Sequence, residues 1–90
     1  MKYYNRDDID LSEDYTTIIG HRGTGKAFAR VKYYLNKIGK KENSNLDNIV
    51  LCIMLESYCD CLLDLDYISN ETYDKILSVI KKYRGVDYDD

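Results

Sequence analysis

The chain has no proline, no tryptophan, two alanines (Ala27 and Ala29), one phenylalanine and a single histidine. Its longest unbroken apolar run is Ile49–Leu55, far short of the ~18–20 residues that cross a bilayer. The opening residues, Met1 to Asp8, carry no apolar stretch of the kind a secretory leader needs. Three cysteines, Cys52, Cys59 and Cys61, form an odd set without a CxxC pair, and one histidine does not complete the four ligands of a structural zinc site. No metal, cofactor or membrane is therefore expected as a partner. Unpaired thiols point to a cytoplasmic, reducing compartment. Cys52 and Cys59, seven apart, would share a buried helix face. The shortage of proline and alanine beside abundant Lys, Asn, Ile, Asp and Tyr matches an AT-rich genome, that of a low-GC bacterium, its phage or a plasmid.

What is present suits one small domain: 90 residues, 44% hydrophobic and 32% charged, too apolar for full disorder. The formal net charge of −3 argues against both a simple polyanion binder and a nucleic-acid mimic. That total conceals sorted blocks. Residues 1–19 carry −3, 20–41 carry +7 without an acid, 42–74 carry −8 without a base, 75–86 carry +4, and the tail to Asp90 carries −3. Blocks on this scale pair with one another or with oppositely charged surfaces of a partner.

From Ala27 onward Phe28, Val31, Leu35 and Ile38 recur at helical spacing, opposite Lys26, Arg30, Tyr33, Lys37, Lys40 and Lys41. This predicts an amphipathic helix from Thr24 to Ile38, stopped at Gly39. Ser44 followed by Asp47 reads as the N-cap of a second helix. The run Ile49–Leu55 is apolar all round, which leaves buried helix and buried strand open. Its continuation through Tyr58, Cys59, Leu62 and Leu63 favours a central helix over Leu46–Leu65, with Glu56, Asp60 and Asp64 as an acidic outer stripe. After a turn at Asp66–Ile68, Ser69 caps a third helix with Tyr73, Ile76, Leu77, Ile80 and Tyr83 on its apolar face and Gly85 past its end. Residues 15–19 suit a strand as well as a helix.

One stretch asks for a chemical explanation. Gly20, Gly23 and Gly25 with Arg22 and Lys26 form a glycine-rich cationic loop running into a helix N-terminus, a cradle suited to phosphate or carboxylate. Gly20-x4-Gly25-Lys26 resembles the P-loop of nucleoside triphosphatases, and the resemblance implies that Lys26 contacts terminal phosphates. Ala27 stands where that pattern places its magnesium ligand, and the P-loop fold needs a multistranded parallel sheet for which the chain has at most two strands. Arg22-x-x-Gly25-x-Ala27 looks like the pyrophosphate turn of acetyl-CoA-dependent N-acetyltransferases, a fold needing several strands before the turn where only nineteen residues stand. Elsewhere, His21 has no Ser or Cys beside it, and Asp60, Asp64 and Asp66 lack the alternating spacing of a calcium loop.

The reading is an all-α fold: an N-terminal arm and loop over 1–23, which could hold a short helix or strand, a three-helix core over 24–85, and an acidic tail over 86–90. No catalytic residue is assigned. The expected function is that of a non-enzymatic cytoplasmic binding protein, an inhibitor or modulator of the anti-defence type encoded by a phage or mobile element. It would occlude a larger host protein, nucleic-acid-binding proteins among the candidates, through Glu56, Asp60, Asp64, Tyr33 and Lys37. Tyr3, Tyr4, Tyr33 and Tyr88 lie outside the apolar stripes, where exposed tyrosines favour interfaces. Nucleic acid ranks below protein as a partner because acidic blocks flank the basic one, and a homo-oligomer joining the +7 and −8 blocks is a third reading. The alternative is a nucleotide- or phosphate-sequestering module built on Gly20, Arg22, Gly23, Gly25 and Lys26.

Overall fold

Apolar residues at helical spacing on either side of two short polar breaks build three helices in the computed structural model, which describes residues 4–11 and 24–84. Among the described residues a 3-10 turn, Arg6–Asp8, precedes α1 (Thr24–Lys37), α2 (Asn45–Asp64) and α3 (Asn70–Arg84). There is no strand among the described residues, so the protein is all-α. The alternatives for 15–19, and the acidic tail, lie outside those residues.

The helix ends follow local chemistry. At the N-terminus of α2 the Ser44 hydroxyl accepts from the Asp47 N–H at 3.0 Å, and the Asp47 carboxylate accepts from the Ser44 N–H at 2.9 Å. This reciprocal capping box satisfies two otherwise unpaired donors. Ser69 caps α3 by accepting from the Thr72 N–H at 3.1 Å. α1 ends at Gly39, whose φ of +79° is the left-handed conformation that closes a helix. Its N–H donates to Asn48 Oδ1 at 3.0 Å, and the Asn43 amide donates both to that oxygen, at 2.9 Å, and to the Lys37 carbonyl, at 2.7 Å. Two asparagines thus tie the end of α1 to the first turn of α2.

α2 leaves by a Schellman turn. The Tyr67 N–H reaches the Leu62 carbonyl at 2.8 Å and the Asp66 N–H the Leu63 carbonyl at 3.0 Å, with Asp66 at φ +60°. The resulting αα-hairpin packs α3 along α2, and α1 packs on α2 as well, so α2 is the shared partner. The core joins Phe28, Val31, Leu35 and Ile38 of α1 with Cys52, Leu55, Cys59 and Leu62 of α2 and Ile76, Val79 and Ile80 of α3. Ile9 and Leu11, within the stretch read from sequence as an arm, are buried in the same core. Arg6 fastens that segment by donating to the Leu35 carbonyl at 3.2 Å, its guanidinium 5.9 Å from the Tyr83 ring centre.

Candidate functional site

Cys52, Leu55, Cys59 and Leu62 turn one side of α2 into the core. The opposite side is where the structure departs from the expectation of a buried all-apolar helix. Val50, Ile53 and Met54 are 46%, 47% and 46% exposed, and Leu46 at the helix start is 67% exposed. Leu46, Val50, Ile53 and Met54 recur at i, i+4, i+7 and i+8, one continuous stripe. Ser57, Asp60, Cys61 and Asp64 extend it, all exposed. The outer face therefore has an apolar first half and an acidic second half. Single exposed apolar residues are ordinary on a protein surface; here four stand in one row. Two neighbouring helices cover only part of a helix circumference, so an all-apolar segment must leave apolar area uncovered.

The three acids expected to line the outer stripe do not share one environment. Glu56 is turned toward α3, where Arg84 donates to its Oε1 at 2.7 Å with both side chains about one-third exposed (33% and 28%). Asp60 accepts from the Tyr73 hydroxyl of α3, a bond that together with burial holds the phenol well above its ordinary range. Asp64 is exposed. Thus Glu56 and Asp60 also serve the α2–α3 contact, a link across 28 and 13 residues that helical spacing cannot reveal.

Tyr33 and Lys37 lie on the outer side of α1. Tyr33 is 51% exposed, its ring set edge-on to Tyr34 at 5.7 Å, with Lys37 Nζ 5.5 Å from its centre. Lys26, Ala29, Arg30 and Tyr33 line an open hollow of about 340 Å³ beside it. This cationic face and the α2 face are borne by different helices, each on the side away from its own core residues.

Of the anion-binding set, Gly20, Arg22 and Gly23 lie outside the described residues. Gly25 and Lys26 are exposed in the first turn of α1. Among the described residues no group of three or more His, Cys, Asp or Glu is placed to hold a metal ion. Burial pushes the thiol of Cys52 up to about 11 against the opposing pull of Arg84, and that of Cys59 up to about 12 with Asp60 and Glu56 adding to the shift. Buried, protonated thiols of this kind are packing groups and not nucleophiles. Cys61 is exposed on the outer face of α2. No helix among the described residues is long and apolar enough to cross a membrane.

No protein-family model, curated protein or solved structure matches this chain. Its functional reading rests on surface chemistry alone. The exposed Leu46, Val50, Ile53 and Met54 are the residues that sequence reasoning did not single out. The signal was the absence of a polar side in Ile49–Leu55, which says that one side goes uncovered without saying which.

Proposed function

We propose that this chain is a non-enzymatic binding protein that docks on another protein through the outer face of α2 and acts by steric occlusion. The observation that carries this reading is the row of Leu46, Val50, Ile53 and Met54, exposed along one side of a helix whose other side is core. The apolar first half supplies area to desolvate, while Asp60 and Asp64 at the far end select the sign and orientation of the partner. A matching surface has an apolar groove with cationic groups beyond one end. Small size and AT-rich coding bias favour the finer reading of an inhibitor or modulator carried by a phage or mobile element.

The test is affinity capture from extracts of a low-GC bacterium, comparing the parent with Ile53→Lys plus Met54→Lys. Both residues are half exposed, so the variant should keep the parent's helical circular dichroism and melting curve. A protein held by the parent and lost from the variant supports the assignment. Equal capture by both sinks it. Loss on Tyr33→Ala plus Lys37→Glu with retention by the α2 variant moves the interface to α1 and also overturns it.

A further inference from the structure

We infer that the outer face of α1 binds single-stranded nucleic acid, with Lys26, Arg30 and Lys37 on its phosphates and the Tyr33 ring stacked on a base. This surface is separate from the outer face of α2, and the two stand or fall independently.

Lys26, Arg30, Tyr33 and Lys37 fall at i, i+4, i+7 and i+11 of α1, one stripe about 16 Å long at a rise of ~1.5 Å per residue. All four are exposed. Among the described residues no carboxylate lies within ion-pair distance of the three cations. Helix stability does not account for them either. Lys26 stands in the first turn, where the dipole disfavours a cation, and that turn has no acid. The first turns of α2 and α3 carry Asp47 and Glu71 instead.

Acidic blocks flank this basic one in sequence, but the fold separates them. Glu56 and Asp60 are bonded to Arg84 and Tyr73 of α3. Asp7 lies beside Lys32 and Asn36, on another flank of α1. Toward the C-terminal end of α1, Glu42 shares its turn with Lys40 and Lys41, and the Asp47 carboxylate accepts from the Ser44 N–H. Salt screens charges beyond ~8–10 Å, so contact charges outweigh the net charge of −3.

The ring selects among polyanions. Tyr33 is 51% exposed in the middle of the stripe, with Arg30 and Lys37 within one helical turn on either side. A base stacked on it therefore has its own phosphate beside a cation. The open hollow between Lys26, Arg30 and Tyr33 contains only the methyl group of Ala29. A duplex keeps its base faces stacked inside, and an acidic peptide or a lipid headgroup has no base to offer. Only an unpaired strand uses both the ring and the cations.

Fluorescence anisotropy of a labelled oligothymidylate of about 12 nucleotides, titrated with the full chain to about 100 μM, tests this. Three phosphate contacts give a log–log salt slope of about −2, so affinity should fall about 20-fold between about 50 mM and about 200 mM salt. Lys26→Ala should reduce that slope to about −1.4. Tyr33→Ala should weaken binding at least about five-fold while leaving the slope unchanged, and Tyr33→Phe should bind as the parent does. All three positions are exposed, so the variants should keep the parent's circular dichroism. No anisotropy change up to about 100 μM overturns the inference. So does a slope indifferent to Lys26→Ala, or an affinity indifferent to Tyr33→Ala. A duplex of the same length that binds as tightly, or poly-glutamate or phosphatidylglycerol vesicles that compete equally at matched charge, overturns it too, because the face would then read charge alone.

Discussion

Gly39 sits so close beneath the Tyr83 ring that a β-carbon on it would stand 2.5 Å from Tyr83 Cε1. The last turn of α3 thereby closes over the corner between α1 and α2. Gly39 is required twice, once for its φ of +79° and once for this contact. Gly39→Ala should cost at least about 2 kcal/mol, since a β-carbon in the left-handed region costs ~1–2 kcal/mol before the ring is displaced. Urea denaturation measures it. A loss within error of zero would mean that the Tyr83 ring moves freely.

Asp66 adopts the same left-handed conformation at the end of α2, and unlike Gly39 it carries a β-carbon. Asp66→Gly should therefore stabilise the protein by up to about 1 kcal/mol, the lower part of the left-handed penalty, because Asp tolerates that region better than most residues. The opposite sign in a denaturant midpoint would show that the Asp66 side chain contributes more than its backbone strain costs.

Ser44 satisfies the Asp47 N–H at the start of α2, and Ser44→Ala leaves that donor without its hydroxyl. The expected loss is about 1 kcal/mol. Asp47→Asn should lose less, since an amide oxygen still accepts from the Ser44 N–H. The ranking of the two variants by thermal melting checks the capping geometry.

The three thiols should separate by rate. Cys61 is exposed and reacts promptly with a maleimide or disulfide reagent, whereas Cys52 and Cys59 are buried and react only as the helices open. Prompt titration of more than one thiol in the native protein would contradict the packing of α2 on its neighbours.

Stability should decline with alkali. The Cys52 and Cys59 thiols are raised from 9.0 to about 11 and about 12 by burial. Between pH 9 and those values the unfolded chain has released protons that the folded chain retains, so folding weakens as pH rises. The Tyr73 phenol, raised by its bond to Asp60, acts in the same direction. Denaturation midpoints should be highest below about pH 9 and fall beyond it. Tyr73→Phe should leave a shallower decline, and an unchanged midpoint between pH 8.5 and 10.5 would contradict the thiol burial.

The helix boundaries were legible because each is written in local chemistry. Ser44 with Asp47, Ser69, and Gly39 mark ends through hydrogen bonds made within a few residues, and Phe28, Val31, Leu35 and Ile38 mark a face by spacing alone. Glu56, Asp60 and Asp64 were legible as one acidic row, but not the diversion of Glu56 to Arg84 and of Asp60 to Tyr73. Those contacts depend on where a neighbouring helix lies. Nor could the sequence show that Ile9 and Leu11 return to the core across a segment of more than ten residues.

The same division holds for the surface. Composition and periodicity alone specified three helices, a cationic outer side for α1 and a central helix without a polar side in its first half. Which part of α2 water reaches was a matter of tertiary packing. A periodic pattern encodes a face only when polar and apolar residues alternate around the helix, and over Ile49–Leu55 they do not. There the choice passed to α1 and α3, which together cover Cys52, Leu55 and Cys59 and leave Val50, Ile53 and Met54 exposed.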